Sequence, residues 1–323
     1  MPIIDERKKE QWLSDRRKYI TGTDAACLLG ISKWGDKFTV YHDKLGDSPA
    51  VDESEPMYWG KSLEGAILDR YAEILGVNLE FCDGYELVVN PNDYIFAASL
   101  DGWDETNQCA VDAKNIMRKT DEWGATGSSD FPEYYKAQLL VQMIATGTNH
   151  ARLCALFSGC EFHWYKLDRH SEDMVAMEAS LRTEAADIME RIKNHDEPPA
   201  SGIGAVSDKI KAMYKVADET YKEVTDQSEI DELKALALAM KGLKEKVDEY
   251  QEKADECANR IKQILGTRSE VPGVLTWRNS KTSDKTDWKA VAETFKDSEG
   301  YESVVSANTK SVPGARTLRL TIK

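Results

Sequence analysis

The chain has 323 residues, with 42 Lys and Arg residues against 57 Asp and Glu residues, and thus a formal net charge of −15. This length corresponds to about two domains, and the negative charge excludes a general attraction for nucleic acid or anionic membranes, so any DNA contact requires local basic patches. Hydrophobic residues make up 41% of the chain, enough for a folded core, and no apolar run approaches the ~18 residues that span a bilayer.

The N-terminal part of the chain combines helical and strand-like patterns. Apolar periodicity and capping residues predict helices over 6–18, 25–29 and 62–75. Runs of β-branched and aromatic residues, separated by turn signals, predict strands over 79–89, 94–100 and 109–117. The same criteria predict a helix over 132–146, strands over 151–157 and 161–167, and a long helix over 171–194. A stretch rich in Pro and Gly at 195–204 predicts a domain boundary, so the first domain is expected to span residues 1–200.

The C-terminal part of the chain begins with a heptad pattern. Apolar residues recur at alternating spacings of three and four from Leu233 to Ile264, which predicts a coiled-coil helix in a helical region over 205–266. A shorter apolar stripe between Ile210 and Val224 can fold back on it as a helical hairpin. Residues 267–323 lean basic, and their pattern predicts strands over 274–277 and 317–322 with a short helix over 287–295.

Charged residues converge on the second and third of the predicted N-terminal strands. Asp101 follows the run that ends at Leu100, and Asp112 and Lys114 lie two apart on the next strand, so their side chains share a face. Hairpin pairing of the two strands brings Asp101 near Asp112. Because burying unpaired charge is costly, a divalent cation is expected here. Mg²⁺ prefers carboxylates, carbonyls and water, with the carbonyl of Ala113 as a further candidate ligand.

Other candidate residues lie outside these strands. Lys114 can hold or help to deprotonate a metal-bound water. Glu64 lies off the apolar stripe of its helix and can supply a further metal or water ligand, although a solvated helix residue is the ordinary reading. Arg16, in a small basic cluster, can bind phosphate or simply face solvent, and Thr23 can cap a helix or bind an anion.

The ordered set of motifs resembles the PD-(D/E)XK nuclease superfamily and, more closely, the phage lambda exonuclease and YqaJ-like viral recombinase family. The resemblance covers roughly residues 10–195. It rests on Trp12…Arg16…Ile20-Thr21-Gly22-Thr23-Asp24, Trp59-Gly60-Lys61…Glu64, Ser99-Leu100-Asp101-Gly102, Asp112-Ala113-Lys114 and Tyr135-Lys136-Ala137-Gln138. The chain departs from the family pattern in having Leu100 for the usual Pro, Asp112 where Glu is frequent, and Leu140 in place of a second Gln.

The resemblance implies a fold, a reaction and a set of site residues. The fold is α/β (α+β), a restriction-endonuclease-like core whose mixed central sheet is flanked by helices. Asp101, Asp112 and Glu64 would be metal ligands, Lys114 the catalytic lysine and Gln138 an active-site amide. Arg16 and Thr23 would contact DNA phosphate. The cofactor would be Mg²⁺, with Mn²⁺ as a substitute.

The function implied by the resemblance is that of a phage-type 5′ to 3′ exonuclease. It would act on double-stranded DNA ends, as a homo-oligomeric ring, with a single-strand annealing protein as recombination partner. Two alternatives stay open: an endonuclease on the same core, and a non-catalytic coiled-coil interaction protein on a decayed nuclease fold.

The N-terminus and the cysteines bear on the cellular location. The first seven residues include no apolar signal segment, and the 6 cysteines form no CxxC pair, which argues against a zinc ribbon or disulfide framework. A cytoplasmic protein without a membrane partner is therefore expected, and the family resemblance implies a phage or prophage protein in a bacterial host.

Overall fold

The computed structural model describes residues 6–49, 53–215, 224–279 and 286–309. The chain forms two compact units, Met1–Tyr214 and Lys215–Lys323. The helices of the first unit are α1 Glu6–Arg16, α2 Gly22–Leu28, α3 Lys37–Leu45, α4 Glu55–Leu75, α5 Glu133–Thr146, α6 Glu172–Asn194 and α7 Gly204–Met213. Its strands are β1 Leu79–Phe81, β2 Val88–Asn90, β3 Asp93–Ala98, β4 Gly102–Asp104, β5 Cys109–Ile116, β6 His150–Phe157 and β7 Glu161–Asp168.

A five-stranded mixed sheet forms the centre of the first unit. Its strand order is β1-β4-β5-β6-β7, with β5 and β6 parallel and the other neighbours antiparallel. The strands β2 and β3 pair separately. The predicted mixed sheet flanked by helices is thereby confirmed.

Helices α4 and α5 cover opposite faces of this sheet, as the alternation along β6 requires. Cys154 packs with Ile67 and Tyr71 of α4, whereas Leu153, next to it, packs in the larger core with Leu140 of α5. On β5, Val111 and Ala113 belong to the α4 side. Because successive residues of a strand point to opposite faces, Asp112 and Lys114 point toward the α5 side.

The route of the chain into the sheet differs from the predicted hairpin. The run predicted over 79–89 is divided into β1 and β2 by a turn at Asp83, whose side chain accepts a hydrogen bond from the Tyr85 amide. The run predicted over 94–100 is β3, which pairs with β2 rather than with β5. The antiparallel neighbour of β5 is β4, which begins at Gly102, where the sequence predicts a turn.

Two helices of the first unit differ from the prediction: α3 is not predicted, and α7, which overlaps the helical region predicted over 205–266, belongs to the first unit. Helix α3 begins after Asp36, whose carboxylate accepts a hydrogen bond from the Thr39 amide at 3.0 Å. Helix α7 packs against α3, because Lys209 Nζ donates to the carbonyl of Thr39 at 3.0 Å and to Ser48 Oγ at 2.7 Å. The compact unit consequently ends at Tyr214, beyond the boundary predicted at residue 200.

The second unit is built around α8, Gln227–Leu265, which includes the predicted heptad helix. Its other elements are β8 Glu270–Val271, β9 Leu275–Thr276, α9 Trp288–Thr294 and α10 Tyr301–Asn308. Seam residues such as Leu236, Leu243 and Val247 are exposed, so no described segment covers the seam. The predicted strand 317–322 and part of the predicted fold-back stripe lie outside the described residues. In the portion of the chain that the structure describes, no helix is both long and apolar enough to traverse a bilayer.

Candidate active site

Asp101 and Asp112 lie together where β4 enters the sheet. Gly102 pairs with Val111, so the residues just before and after this pair, Asp101 and Asp112, face each other. Asp101 Oδ2 accepts a hydrogen bond of 2.8 Å from the amide of Ala113. Asp112 is almost completely buried, with 1% of its surface exposed. The two carboxylates that the sequence predicts to converge are therefore neighbours, although through β4 rather than through β3.

Two amides from α5 hold one oxygen of Asp112. Gln138 Nε2 donates to Asp112 Oδ1 at 2.8 Å, and Gln142 Nε2 donates to the same oxygen at 3.0 Å. Gln142 is absent from the predicted site. Its spacing of four residues from Gln138 was the available signal, since positions i and i+4 share one face of a helix.

Lys114 is the cation of the site. Its ammonium forms an ion pair with Asp112 Oδ2, an oxygen that receives no hydrogen bond of acceptable geometry. Burial lowers the pKa of Lys114, but the carboxylates of Asp112 and Asp101 outweigh it and raise the pKa above its ordinary range. Lys114 Nζ also lies 5.6 Å from the centre of the Tyr135 ring. The side chain is therefore an ammonium at neutral pH.

Glu64 belongs to the same electrostatic cluster. Burial, and then the negative charge of Asp112, raise the pKa of Glu64, while Lys114 lowers it. Burial and Asp112 likewise raise the pKa of Asp101. Three carboxylates thus act on one another around the Lys114 ammonium, and Lys61 also lowers the pKa of Glu64, so the cluster has an excess of negative charge.

The composition of this cluster fits a hard divalent cation. Carboxylate oxygens are the ligands that Mg²⁺ prefers. A bound cation would offset the negative charge of the carboxylates that the neighbouring lysines do not compensate. Across residues 6–49, 53–215, 224–279 and 286–309, no three Asp, Glu, His or Cys side chains form a ready metal-binding group. The cluster has the ligand chemistry for a divalent cation, but its carboxylates do not surround a common point in this structure.

Arg16 and Thr23 also lie together. Arg16 Nη2 donates to Thr23 Oγ1 at 3.1 Å, and the guanidinium lies 4.9 Å from the Trp12 ring centre. The Nε atom of Arg16 is buried and has no hydrogen-bond partner among the described residues. These two side chains, which the family resemblance assigns to phosphate binding, form one polar surface.

Gly22 connects this polar surface to the carboxylate cluster. A Cβ atom at Gly22 would lie 2.7 Å from Cγ of Gln138, closer than non-bonded carbon atoms approach. The start of α2 therefore packs directly on the residue that holds Asp112. The predicted residues Arg16, Thr23, Gln138 and Asp112 consequently belong to one continuous region.

Comparisons with known proteins found a family model and a relative that are similar to this chain. Residues 11–149 match the YqaJ-like viral recombinase domain. The chain is 24% identical over 266 residues to the uncharacterized protein YqaJ of Bacillus subtilis strain 168, covering 80% of this chain and 79% of that protein.

Two solved structures similar to part of this chain are described as exonucleases. The alkaline exonuclease LHK-Exo of Laribacter hongkongensis has a TM-score of 0.44 and 16% identity, over 58% of this chain and 95% of that one. A phage-related exonuclease of Haemophilus somnus 129PT has a TM-score of 0.40 and 10% identity, over 55% of this chain and 96% of that one.

Proposed function

We propose, from the match of residues 11–149 to the YqaJ-like viral recombinase domain, that the protein is a Mg²⁺-dependent exodeoxyribonuclease. It degrades double-stranded DNA from an end in the 5′ to 3′ direction and prepares single strands for recombination by annealing. The observation that carries the proposal is the cluster of Asp101, just before β4, with Asp112 and Lys114 of β5, in which Gln138 donates to Asp112. Mn²⁺ is expected to substitute for Mg²⁺.

The carboxylates of Asp101, Asp112 and Glu64, with the carbonyl of Ala113, would hold the metal. A bound divalent cation supplies Lewis acidity toward phosphate oxygens and lowers the pKa of bound water. Gln138 and Gln142 fix Oδ1 of Asp112, which leaves its other oxygen directed at Lys114. This division of the two oxygens orients the carboxylate before substrate arrives.

Lys114 places positive charge beside the position of the scissile phosphate. Fixed donors aimed at developing negative charge are among the largest contributions to catalysis, because they require no reorganisation during the reaction. While its neighbours stay ionised, Lys114 keeps its proton, so its role is to orient water and stabilise the phosphorane oxygens. Hydrolysis then adds water across the P–O bond and releases a phosphate and a hydroxyl end.

Arg16 and Thr23 would bind a phosphate of the strand end. The Arg16 guanidinium and the Thr23 hydroxyl, which lie within hydrogen-bond distance of each other, are suitable donors, and charge-assisted hydrogen bonds to phosphate are stronger than neutral ones. An anchored terminal phosphate supports an exonuclease over an endonuclease, because one strand end is then fixed relative to Lys114. A ring-like homo-oligomer and an annealing-protein partner complete the proposal, with the exposed seam of α8 available to either.

The test compares linear and covalently closed circular duplex DNA with Mg²⁺, Mn²⁺ or EDTA. We expect loss of linear DNA with either metal, no cutting of circles, and no reaction in EDTA. Asp101→Ala should be inactive. The matched control is Asp208→Ala, an exposed aspartate of α7. Cleavage of circles would favour the endonuclease, and full activity of Asp101→Ala would exclude this site.

A further inference from the structure

The loop between α2 and α3 holds a tryptophan ring in solvent. Trp34 is 62% exposed, although both Ser32 and Asp36 beside it are buried. The Trp34 amide donates to Ser32 Oγ at 3.1 Å, and Asp36 Oδ2 accepts from the amide of Ser201 at 2.7 Å. The loop is anchored on both sides of an exposed ring. A single exposed apolar side chain is common on protein surfaces, so the contacts of this ring decide its role.

Ring contacts lead from Trp34 to the carboxylate cluster. The Trp34 ring meets the Tyr134 ring edge to face at 5.2 Å between centroids, and the Tyr134 and Tyr135 rings are 4.4 Å apart. The Tyr135 ring in turn lies 5.6 Å from Lys114 Nζ. Trp34 therefore occupies the outer end of an aromatic path that begins at the proposed catalytic lysine.

A positive charge accompanies this path. Lys33 Nζ lies 5.5 Å from the centre of the Tyr134 ring, and its carboxylate partner, Glu122, is 4.0 Å away, the outer limit of an ion pair. Both side chains are more than half exposed. An ammonium beside exposed aromatic rings matches the way proteins bind single-stranded nucleic acid, with stacked bases and a cation at the backbone.

We propose that Trp34 and Tyr134 form a stacking platform for an unpaired base of the substrate strand, with Lys33 at the adjacent phosphate. The inference rests on the proposed function of the site, because the path begins at Lys114. Stacking on aromatic rings tolerates any base, so the platform holds the strand without selecting a sequence. The continuous connection to Lys114 and the neighbouring ammonium favour DNA as the occupant over a docking protein.

The first experiment measures binding without hydrolysis. A fluorescent linear duplex with a three-nucleotide 5′ overhang is titrated with the full chain in EDTA, and its anisotropy is recorded. Trp34→Ala should weaken binding about 5- to 150-fold, whereas Trp34→Phe keeps a ring and should stay near the wild-type affinity. The matched control is Trp288→Ala, since Trp288 is a tryptophan of the second unit that is 74% exposed.

A second experiment identifies the base as the contact. Each overhang nucleotide is replaced in turn by an abasic one, and both proteins are titrated again. At one overhang position, the abasic nucleotide should weaken DNA binding by the wild-type protein as much as Trp34→Ala does. The same abasic nucleotide should not weaken DNA binding by the Trp34→Ala protein any further. Additive losses at every position, or unchanged affinity of Trp34→Ala, would overturn the platform, and the latter would point to a docking protein instead.

These outcomes are separable from the failure of the proposed function. Binding in EDTA reports on Trp34 whether or not the protein hydrolyses DNA. A wild-type protein that leaves linear duplex intact in Mg²⁺ would contradict the nuclease alone. An active wild-type protein matched in DNA affinity by Trp34→Ala would contradict the platform alone.

Discussion

Gln142 donates a hydrogen bond of 3.0 Å to Oδ1 of Asp112, one helical turn beyond the corresponding bond from Gln138. Both donors reach the same oxygen of a carboxylate that is buried. The orientation of Asp112 is therefore set by two groups on α5, and only one of them is among the predicted site residues.

Replacement of Gln142 by Met should slow DNA hydrolysis. The side chain keeps its approximate volume but loses a hydrogen bond to a charged group, which is worth about 1.5–3 kcal/mol and corresponds to roughly 10- to 150-fold in rate. The measurement is kcat on linear duplex with saturating Mg²⁺. Gln251→Met, on the exposed surface of α8, is the control. Equal rates for Gln142→Met and wild type would show that Gln138 alone suffices.

Removal of the Lys114 ammonium should abolish most activity without preventing folding. Removal of one fixed donor aimed at developing negative charge typically costs about 10²- to 10³-fold in rate, so Lys114→Met should lose activity within that range. Its methylene positions are retained to preserve packing beside Tyr135. The rate is measured together with the far-UV circular dichroism and thermal midpoint. Lys211→Met, at an exposed lysine of α7, should match wild type. A folded Lys114→Met with normal kcat would remove Lys114 from the mechanism.

Arg16→Ala should weaken DNA binding and reduce its dependence on salt. Removing one phosphate-binding cation decreases the magnitude of the slope of log K against log salt by about 0.9 on duplex DNA. Binding isotherms at several NaCl concentrations in EDTA give this slope. Arg70→Ala, at an exposed arginine of α4 that is paired with Glu73, should leave it unchanged. An unchanged slope for Arg16→Ala would contradict phosphate binding at this residue.

Gly22→Ala should destabilise the fold and reduce activity together. The new methyl group would lie 2.7 Å from Gln138 Cγ, and overpacking of this kind typically costs about 1–3 kcal/mol. The shift required of Gln138 also disturbs its bond to Asp112. Urea unfolding and kcat are the measurements. Gly242→Ala, in the interior of α8 with open space at the added methyl, should instead stabilise by about 0.5–1 kcal/mol. A neutral Gly22→Ala would mean that α2 can move freely from α5.

Asp24 should stabilise the first unit at neutral pH and lose this effect in acid. Its buried carboxylate pairs with Lys44. Burial opposes the charge, but Lys44 and Arg16 outweigh it and hold the pKa of Asp24 below its ordinary value. The unfolded chain then binds this proton more readily, so the stabilisation is complete above about pH 4 and declines as pH falls through the folded pKa.

The corresponding variant is Asp24→Asn, compared with wild type by urea unfolding at pH 7 and at pH 3. Breaking one partner of a buried ion pair costs about 3–5 kcal/mol, so the difference should be large at pH 7 and smaller at pH 3. Asp231→Asn, at an exposed position of α8, should show little difference at either pH. A gap that widens in acid would reverse the assigned direction of the pKa shift.

The sequence predicts the part of the candidate site that is formed by charged residues on neighbouring strands. Asp101, Asp112 and Lys114 could be grouped because charged residues on adjoining strands are poor core material without a counter-ion. The pairing strand itself was misassigned, because the Asp101-Gly102 dipeptide has the composition of a turn. The turn lies instead after Asp104, where Gln108 adopts a positive φ of 51°. A positive φ is uncommon for residues other than glycine, so a glutamine does not predict a turn at this position.

Helix α3 was not predicted because its buried face is partly polar. His42 and Lys44 are both buried, and Lys44 pairs with Asp24, which lies 20 residues earlier in the sequence. Periodicity counts only apolar positions, so such a helix gives a weak signal. Gln142 went unassigned for a related reason, since a glutamine among the apolar residues of α5 has no evident task until Asp112 is placed opposite it.

The alternation along β5 makes the length of this segment critical. Val111 and Ala113 pack toward α4 while Asp112 and Lys114 turn toward α5. A single inserted or deleted residue between Cys109 and Asp112 would exchange the two sets. Asp112 and Lys114 would then face the apolar layer under α4, and Val111 would face the glutamine amides of α5. Natural variants should therefore accommodate indels in the exposed turn at 105–108 and never within the five positions that follow Cys109.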